Sequence, residues 1–416
     1  MEYASIDEII RVEGGRVVAT LFRMTGQLEL AEDAFGEAAI EAVTHWQSEG
    51  LPERPGAWLT TVARRKALDM LRREARRPER EEMAIALAAP VDLDVHTVRD
   101  DQLRLIFTAC HPALSDEARV ALTLRLVCGL TVDEIAAVFL VPEATMSKRI
   151  TRAKAKLRAN RIGLRIPLDG ELPARLAVVS SVVEVVFTTG HHSPTGQALT
   201  RVDLMDEGVR LARLLAGLMP DEPECHGMVS LLLSTRARQA TRVDIDGSAV
   251  LLADADRSLW DRDDIDEAID LLERTLRAGR VGPIQIRAAI SCLHSHASSA
   301  ADTDWPQIVQ LYDMLTMVAP SPIVAVNRAV ALAEVEGATA GLEALDAVQA
   351  SFASVERWHL FHAARAEFLR RLGDLRGSAD ALDAAVECPH NDVDDRLLRQ
   401  RRAALDLASG ASVEAE

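Results

Sequence analysis

Apolar residues in this chain recur at intervals of three and four and rarely alternate. That period lays a stripe along one face of an α-helix, whereas a half-buried strand needs a period of two. Val17, Leu21 and Met24 form one stripe, and Leu30, Ala34, Ala38 and Val43 form another. Met146, Ile150, Ala153 and Leu157, at spacings of four, three and four, form a third. Ala, Leu and Arg abound while aromatics make up only 4%, which adds helix propensity to the pattern. The expectation is an all-α fold. With 416 residues, it should divide into several helical units.

Breakers mark the divisions. Gly50-Leu51-Pro52 and Arg54-Pro55-Gly56 interrupt the first helices, and a helix is expected from Ala57 to Arg76, stopped by Pro78. The first unit then covers residues 1–80, a linker 81–99 and a second unit 100–163. In that second unit a helix from Asp116 to Cys128 closes at Gly129. Thr131-Val132-Asp133-Glu134 reads as a capping box, in which Thr and Glu satisfy each other's backbone N–H. A short helix to Phe139, a turn at Val141-Pro142 and a longer helix from Glu143 to Ala159 complete a helix-turn-helix plan. Residues 164–416 show helices separated by Gly and Pro breakers, as stacked helical hairpins would.

The net charge of −17 hides an uneven distribution. Residues 166–416 carry −16, yet Arg64–Arg80 carries +5 and Pro142–Arg165 carries +7. An acidic bulk repels nucleic acid, and two cationic helices would attract it. The tail's charge fits two roles: covering those patches as a built-in inhibitor, or keeping a large helical domain soluble.

In the Glu143–Ala159 helix the apolar stripe should anchor one side. Thr145, Arg149, Arg152 and Lys156 lie on one flank, and Lys148 faces away from the core. That arrangement suits a major groove, with the first exposed residues at base edges and later ones on phosphates. In the Ala57–Arg76 helix, Trp58 and Arg65 and Arg72 fall near one face, with Arg64, Lys66 and Arg73 around it. Cations with an aromatic ring suit a single strand, whose bases stack on the ring. Core packing is the other reading of Trp58.

Cys110, Cys128, Cys225, Cys292 and Cys388 are far apart and form no C-x-x-C, so buried free thiols are expected rather than a disulfide frame or zinc site. His191-His192 and His294-x-His296 lack four-ligand spacing, and no metal site is expected. No phosphate-binding glycine loop or H-E-x-x-H is present, so neither an enzyme nor a cofactor is expected, and no catalytic residue is assigned. No long apolar run or basic-apolar leader appears, which makes the cytoplasm the expected compartment.

The residues resemble the extracytoplasmic-function (ECF) class of bacterial sigma factors, in the sigma-70 family, and within it the branch with a tetratricopeptide-like C-terminal extension. AEDAFGEAAIEAV (31–43) is similar to the region-two helix that docks on the polymerase clamp, and WLTTVARRKALDMLRR (58–73) to the segment that melts and reads the minus-ten element. Residues 111–157 resemble region four, which reads the minus-thirty-five element. TDW (303–305), PSPIVAVNRAVALAE (320–334) and HAARAEFLRRLGD (362–374) resemble the extension. Ala366, Gly373, Ser378, Leu382 and Ala385 follow the small–turn–small–large–small spacing of a tetratricopeptide repeat. VFTTGHH (186–192) departs from the branch.

The resemblance implies RNA polymerase core, through its beta and beta-prime subunits, and promoter DNA as partners, with Glu32, Asp33, Glu37 and Glu41 toward polymerase. A protein or small-molecule ligand of the extension is open, and no membrane is involved. The alternative is a helical-repeat interaction scaffold with a degenerate DNA-binding front end.

Overall fold

The computed structural model describes residues 6–73, 95–139, 141–160, 162–164, 167, 170–191, 202–244, 248–388 and 392–413. Their regular secondary structure is helical, apart from one isolated antiparallel bridge between Val243 and Ala249. Among them no helix is long and apolar enough to cross a membrane. The chain divides into two compact units, Met1–Val186 and Phe187–Glu416.

The first unit opens with α1 (Ile6–Thr25), α2 (Leu28–Glu49) and α3 (Pro55–Arg73), which all pack on one another. Helix α3 begins two residues before the expected start, because proline fits the first helical position, where an N–H has no intrahelical partner anyway. The expected end at Arg76 and the stop at Pro78 lie outside the described residues. On α2 the buried face is Leu28, Ala31, Ala34, Ala38, Ala42 and Trp46. The sequence stripe had included Leu30 and Val43, which are only half-buried. Alanine decides this face: four small side chains let α1 and α3 approach closely, and the bulkier Leu30 and Val43 fall to its edges.

Next come α4 (Val95–Ala109), α5 (Asp116–Leu126), α6 (Val132–Val138) and α7 (Glu143–Ala159). Helix α4 starts inside the stretch expected to be linker. It packs on α1 and α5, and places the fully buried Phe107 and Leu105 in the core. Helix α5 ends at Leu126; the chain turns through Gly129, whose φ of 71° is the left-handed conformation that glycine adopts freely. The capping box forms: Glu134 Oε2 accepts from the Thr131 N–H at 2.7 Å, and Thr131 Oγ1 accepts from the Glu134 N–H at 3.4 Å. Helix α8 (Leu172–His191) starts in the first unit, where the Arg175 guanidinium donates to the Phe107 carbonyl.

The second unit continues with α9 (Val202–Leu218), α10 (Pro223–Arg236), α11 (Arg262–Leu276), α12 (Pro283–His296), α13 (Trp305–Val318), α14 (Pro322–Glu336), α15 (Ala338–Ser351), α16 (His359–Arg371), α17 (Leu375–Glu387) and α18 (Asp392–Val413). From α11 onward consecutive helices pack on one another across short breaks, whereas residues 237–261 separate α10 from α11. In the α16–α17 hairpin, Gly373 turns the chain at φ 83° and Ser378 Oγ donates to the Ala366 carbonyl at 2.8 Å. Ala366, Ser378, Leu382 and Ala385 are all buried there. Four of the five cysteines are buried free thiols as expected, while Cys388 is half-buried.

Glu367 ties this end of the unit together. Its carboxylate meets Arg370 at 2.7 Å, Arg401 at 2.8 Å and Arg371 at 3.0 Å. Burial pushes the carboxyl up, but the Arg370 and Arg371 guanidiniums outweigh it and hold the group at about 2. A depressed carboxylate contributes stability that is complete above its ordinary value near 4.5 and is lost as pH falls toward 2. Glu367→Ala should therefore lower stability by about 1–2 kcal/mol at pH 7, after allowing for screening of a partly exposed group. In thermal unfolding, the gap between variant and wild type should close near pH 2.

Candidate nucleic-acid interface

Helix α7 keeps the boundaries expected for it, Glu143–Ala159. Its stripe of Met146, Ile150, Ala153 and Leu157 is buried, each at most 4% exposed. The turn that leads into it is held by the Val141 N–H donating to the Ala136 carbonyl at 3.1 Å and the Thr145 N–H donating to the Pro142 carbonyl at 2.9 Å. Anchoring one face this way forces the remaining residues outward.

All five residues expected at the minus-thirty-five element line one open groove of about 380 Å³: Thr145, Lys148, Arg149, Arg152 and Lys156. The far wall comes from the start of α5, with Leu114, Ser115 and Ala118. Thr145, Lys148, Arg152 and Lys156 are exposed. Among the described residues no carboxylate pairs with Lys148, Arg152 or Lys156. Arg149 differs. It is half-buried, bonded to Glu117 at 3.0 Å, and its guanidinium lies 5.4 Å from the Phe139 ring centroid. Three cations are thus uncommitted, and the fourth is held in place.

The patch on α3 is less free. Arg65 pairs with Glu41 at 2.5 Å, and Lys66 reaches Glu41 at 2.9 Å and Glu37 at 3.8 Å. Lys66 first, against slight desolvation, and then Arg65 hold the Glu41 carboxyl below its usual range. Two residues expected on DNA therefore meet two expected on polymerase. Arg72 is exposed and lies 3.8 Å from Asp69. Arg64 is half-buried. Arg73 lies in α3, with its side chain outside the described residues.

Trp58 is half-buried, so it meets both sequence readings partway. It stacks on His45 (centroids 5.4 Å apart, planes at 16°) and meets the buried Trp46 edge-on at 5.4 Å. Of the acidic residues on α2, Asp33 and Glu37 are exposed. Glu32 is not: Lys154 of α7 holds it at 2.6 Å, and Arg125 of α5 sits at 3.7 Å. Lys154, Arg125 and Arg158, which pairs with Glu29, were absent from the expected site. Position on the helix marks them only as flanking cations. Their partners are set by tertiary packing, which no local pattern encodes.

A helix-turn-helix with free cations in an open groove, joined to a three-helix unit with its own cationic helix, is the arrangement of a DNA-binding factor. Residues 9–77 match sigma-70 region 2, and residues 104–157 match sigma-70 region 4. The chain belongs to the sigma-70 family and is an RNA polymerase sigma factor, whose partners are polymerase core and promoter DNA. Residues 175–276 match a family of unknown function, DUF6596, within the helical extension. The chain is also similar to an uncharacterised protein of Rhizobium meliloti (strain 1021), 38% identical over 398 residues, covering 93% of this chain and 92% of that protein.

Proposed function

We propose that this sigma factor is of the ECF type, directing promoter recognition, melting and initiation with regions two and four alone, and that its extension is a tetratricopeptide-like domain for binding a regulatory partner. The α7 groove carries the reading. Lys148, Arg152 and Lys156 are exposed and free of carboxylates, in a chain whose net charge is −17. In this reading Thr145 and Lys148 meet base edges of the minus-thirty-five element, and Arg149, Arg152 and Lys156 its phosphates. Trp58, Arg64, Arg65, Lys66, Arg72 and Arg73 take the opened minus-ten strand, with Trp58 leaving His45 to stack on an unpaired base. Glu32, Asp33, Glu37 and Glu41 face the polymerase. Domain limits of 1–80, 100–163 and 164–416 follow that division of labour.

The hairpin geometry of α16–α17 supports the repeat assignment. An apolar groove of about 430 Å³, lined by Leu272, Leu276, Val281, Leu293, Leu311 and Met314, gives a ligand of the extension a place to bind. The test of the main reading is transcription. Reconstituted with core polymerase on promoters selected from a random library, the chain should yield specific transcripts. A folded chain that binds no core and initiates nowhere would leave the interaction-scaffold reading in its place.

A further inference from the structure

The apolar groove of the second unit has one polar group at its floor that finds no partner among the described residues. Ile269, Leu272 and Leu276 of α11 recur at spacings of three and four, so they share one stripe, and that stripe forms one wall. Leu311 and Met314 of α13 form the other, and α12 runs between them as the floor. The groove measures about 430 Å³, inside the roughly 300–1,000 Å³ range of small-molecule sites. Leu276, Val281 and Met314 at its rim stay exposed to water.

Gln285 sits in that floor and is fully buried. Several contacts fix it there. Its backbone N–H donates to Glu224 at 3.1 Å, and its Cγ lies so close to α10 that a Cβ on Gly227 would sit 2.7 Å away. Its Oε1 accepts from the Gly282 N–H at 3.1 Å. That bond sets which way the amide faces, because an amide nitrogen in the same place would oppose donor to donor. Nε2 is left buried and unpaired among the described residues. A buried donor without an acceptor destabilises a fold, and a ligand that brings an acceptor removes that cost.

Charge narrows the ligand. Among the described residues that line the groove, Glu273 is the one carboxylate and there is no Lys or Arg. Glu224, which already accepts from the Gln285 N–H, places a second carboxylate beside the floor. Both disfavour an anion. A neutral oxygen is the acceptor that fits.

We infer that this groove binds a neutral, largely apolar small molecule through a carbonyl-type oxygen that accepts from Gln285 Nε2, with its hydrocarbon body between α11 and α13. This rests on the proposed role of the extension in binding a regulatory partner, and gives that partner its chemistry. Folding has already stripped water from Nε2, so the new hydrogen bond needs no further desolvation on the protein side. The oxygen should therefore add about tenfold in affinity over the same body without it.

The test uses the full chain and three naphthalene dyes: a propionyl dimethylaminonaphthalene, the same dye without its ketone, and an anilinonaphthalene sulfonate. By fluorescence titration the ketone should fill one saturable site, about tenfold more tightly than the ketone-free dye, and more tightly than the sulfonate. Gln285→Met keeps the size of the side chain and removes the donor. It should take about tenfold from the ketone and leave the ketone-free dye unchanged. Because Met also deserts the Gly282 N–H, a purely structural role for Gln285 would weaken both neutral dyes alike. Met314→Trp, at the exposed rim, should fill the mouth and weaken every dye. Met317→Ser, exposed on α13 but outside the groove, should change none.

Equal affinity of the wild type for the two neutral dyes overturns the inference, as does a sulfonate that binds as tightly as the ketone. An equal loss of both neutral dyes in folded Gln285→Met overturns it too. If that variant loses its helical signal, the wild-type contrast and the Met314→Trp block decide. Transcription separates this site from the wider reading. Saturating ketone that leaves promoter output unchanged counts against a regulatory role for the extension, while the binding contrast still carries the site. Absence of any binding removes the site and leaves the hairpin assignment of the extension standing.

Discussion

Replacing Lys148, Arg152 and Lys156 with alanine should cut promoter affinity of the assembled polymerase by about 100-fold at 0.15 M salt. Each cation that neutralises a phosphate releases condensed counterions, and each contributes about 0.9 to the slope of log K against log salt. Losing the two phosphate contacts, Arg152 and Lys156, should flatten that slope by about 1.8 and, at 0.15 M, remove about five- to sixfold per residue, and the lost Lys148 base contact accounts for the remainder. The three side chains are suited to this comparison because no carboxylate pairs with them among the described residues, and they line one groove. Their removal therefore leaves no internal partner stranded, and the fold should stand. Arg149→Ala is a different case: it frees Glu117 and uncovers the Phe139 ring, so part of its effect should appear as lost stability of region four. The measurement is promoter binding by the holoenzyme across a salt series. An unchanged slope would remove α7 from the DNA.

Local features were legible in the sequence because their physics is local. The stripe Met146–Ile150–Ala153–Leu157 defines which side of α7 is buried, and four and three residues along a helix is all that it requires. The Thr131–Glu134 capping box needs only residues three apart. Even the short motifs of the extension have local explanations. In TDW, Asp304 caps α13 by accepting from the Gln307 N–H at 3.0 Å, and Trp305 meets His294 edge-on at 5.2 Å. In PSPIVAVNRAVALAE, Ser321 caps α14 and Pro322 opens it.

What could not be read is the pairing of charges between elements. Arg65 and Lys66 look free along α3, since nothing in their neighbourhood says that Glu37 and Glu41 of α2 lie alongside. Lys154 looks like one more cation of a basic helix until α2 is packed beside it. The two ends of the α2 stripe failed for a related reason, while its middle residues Ala34 and Ala38 are buried as expected. Hydrophobic period favours large residues such as Leu30 and Val43, whereas close helix packing selects the small ones.

The buried Arg257 should be the costliest polar side chain to remove from the second unit. It is 6% exposed, yet among the described residues no carboxylate forms an ion pair with it. One nitrogen, Nη1, donates to the His294 carbonyl at 2.9 Å and the Ala297 carbonyl at 2.8 Å, and Nη2 reaches Thr303 Oγ1 at 3.5 Å. Those carbonyls lie at the C-terminal end of α12 and just past it, where helix oxygens lack intrahelical donors and attract positive charge. The guanidinium also lies 4.8 Å from the Trp260 ring centroid, and Trp260 in turn donates to Thr241 at 2.8 Å. One side chain thus joins the 257–259 turn, the end of α12 and the approach to α13. Arg257→Leu leaves two carbonyls without a donor and forfeits charged hydrogen bonds worth about 1.5–3 kcal/mol each. Relief from burying the cation offsets part of that, for a net loss of about 3 kcal/mol. For a unit of this size that is about 6–12 °C in Tm. Arg257→Lys, with a single point of charge, reaches one carbonyl but does not span the site, and should fall between. Calorimetry on the full chain should show the shift in the transition of the second unit, with transcription from the first unit's promoter contacts intact at lower temperature. A variant whose unfolding matches wild type would mean that water replaces the guanidinium at both carbonyls without loss.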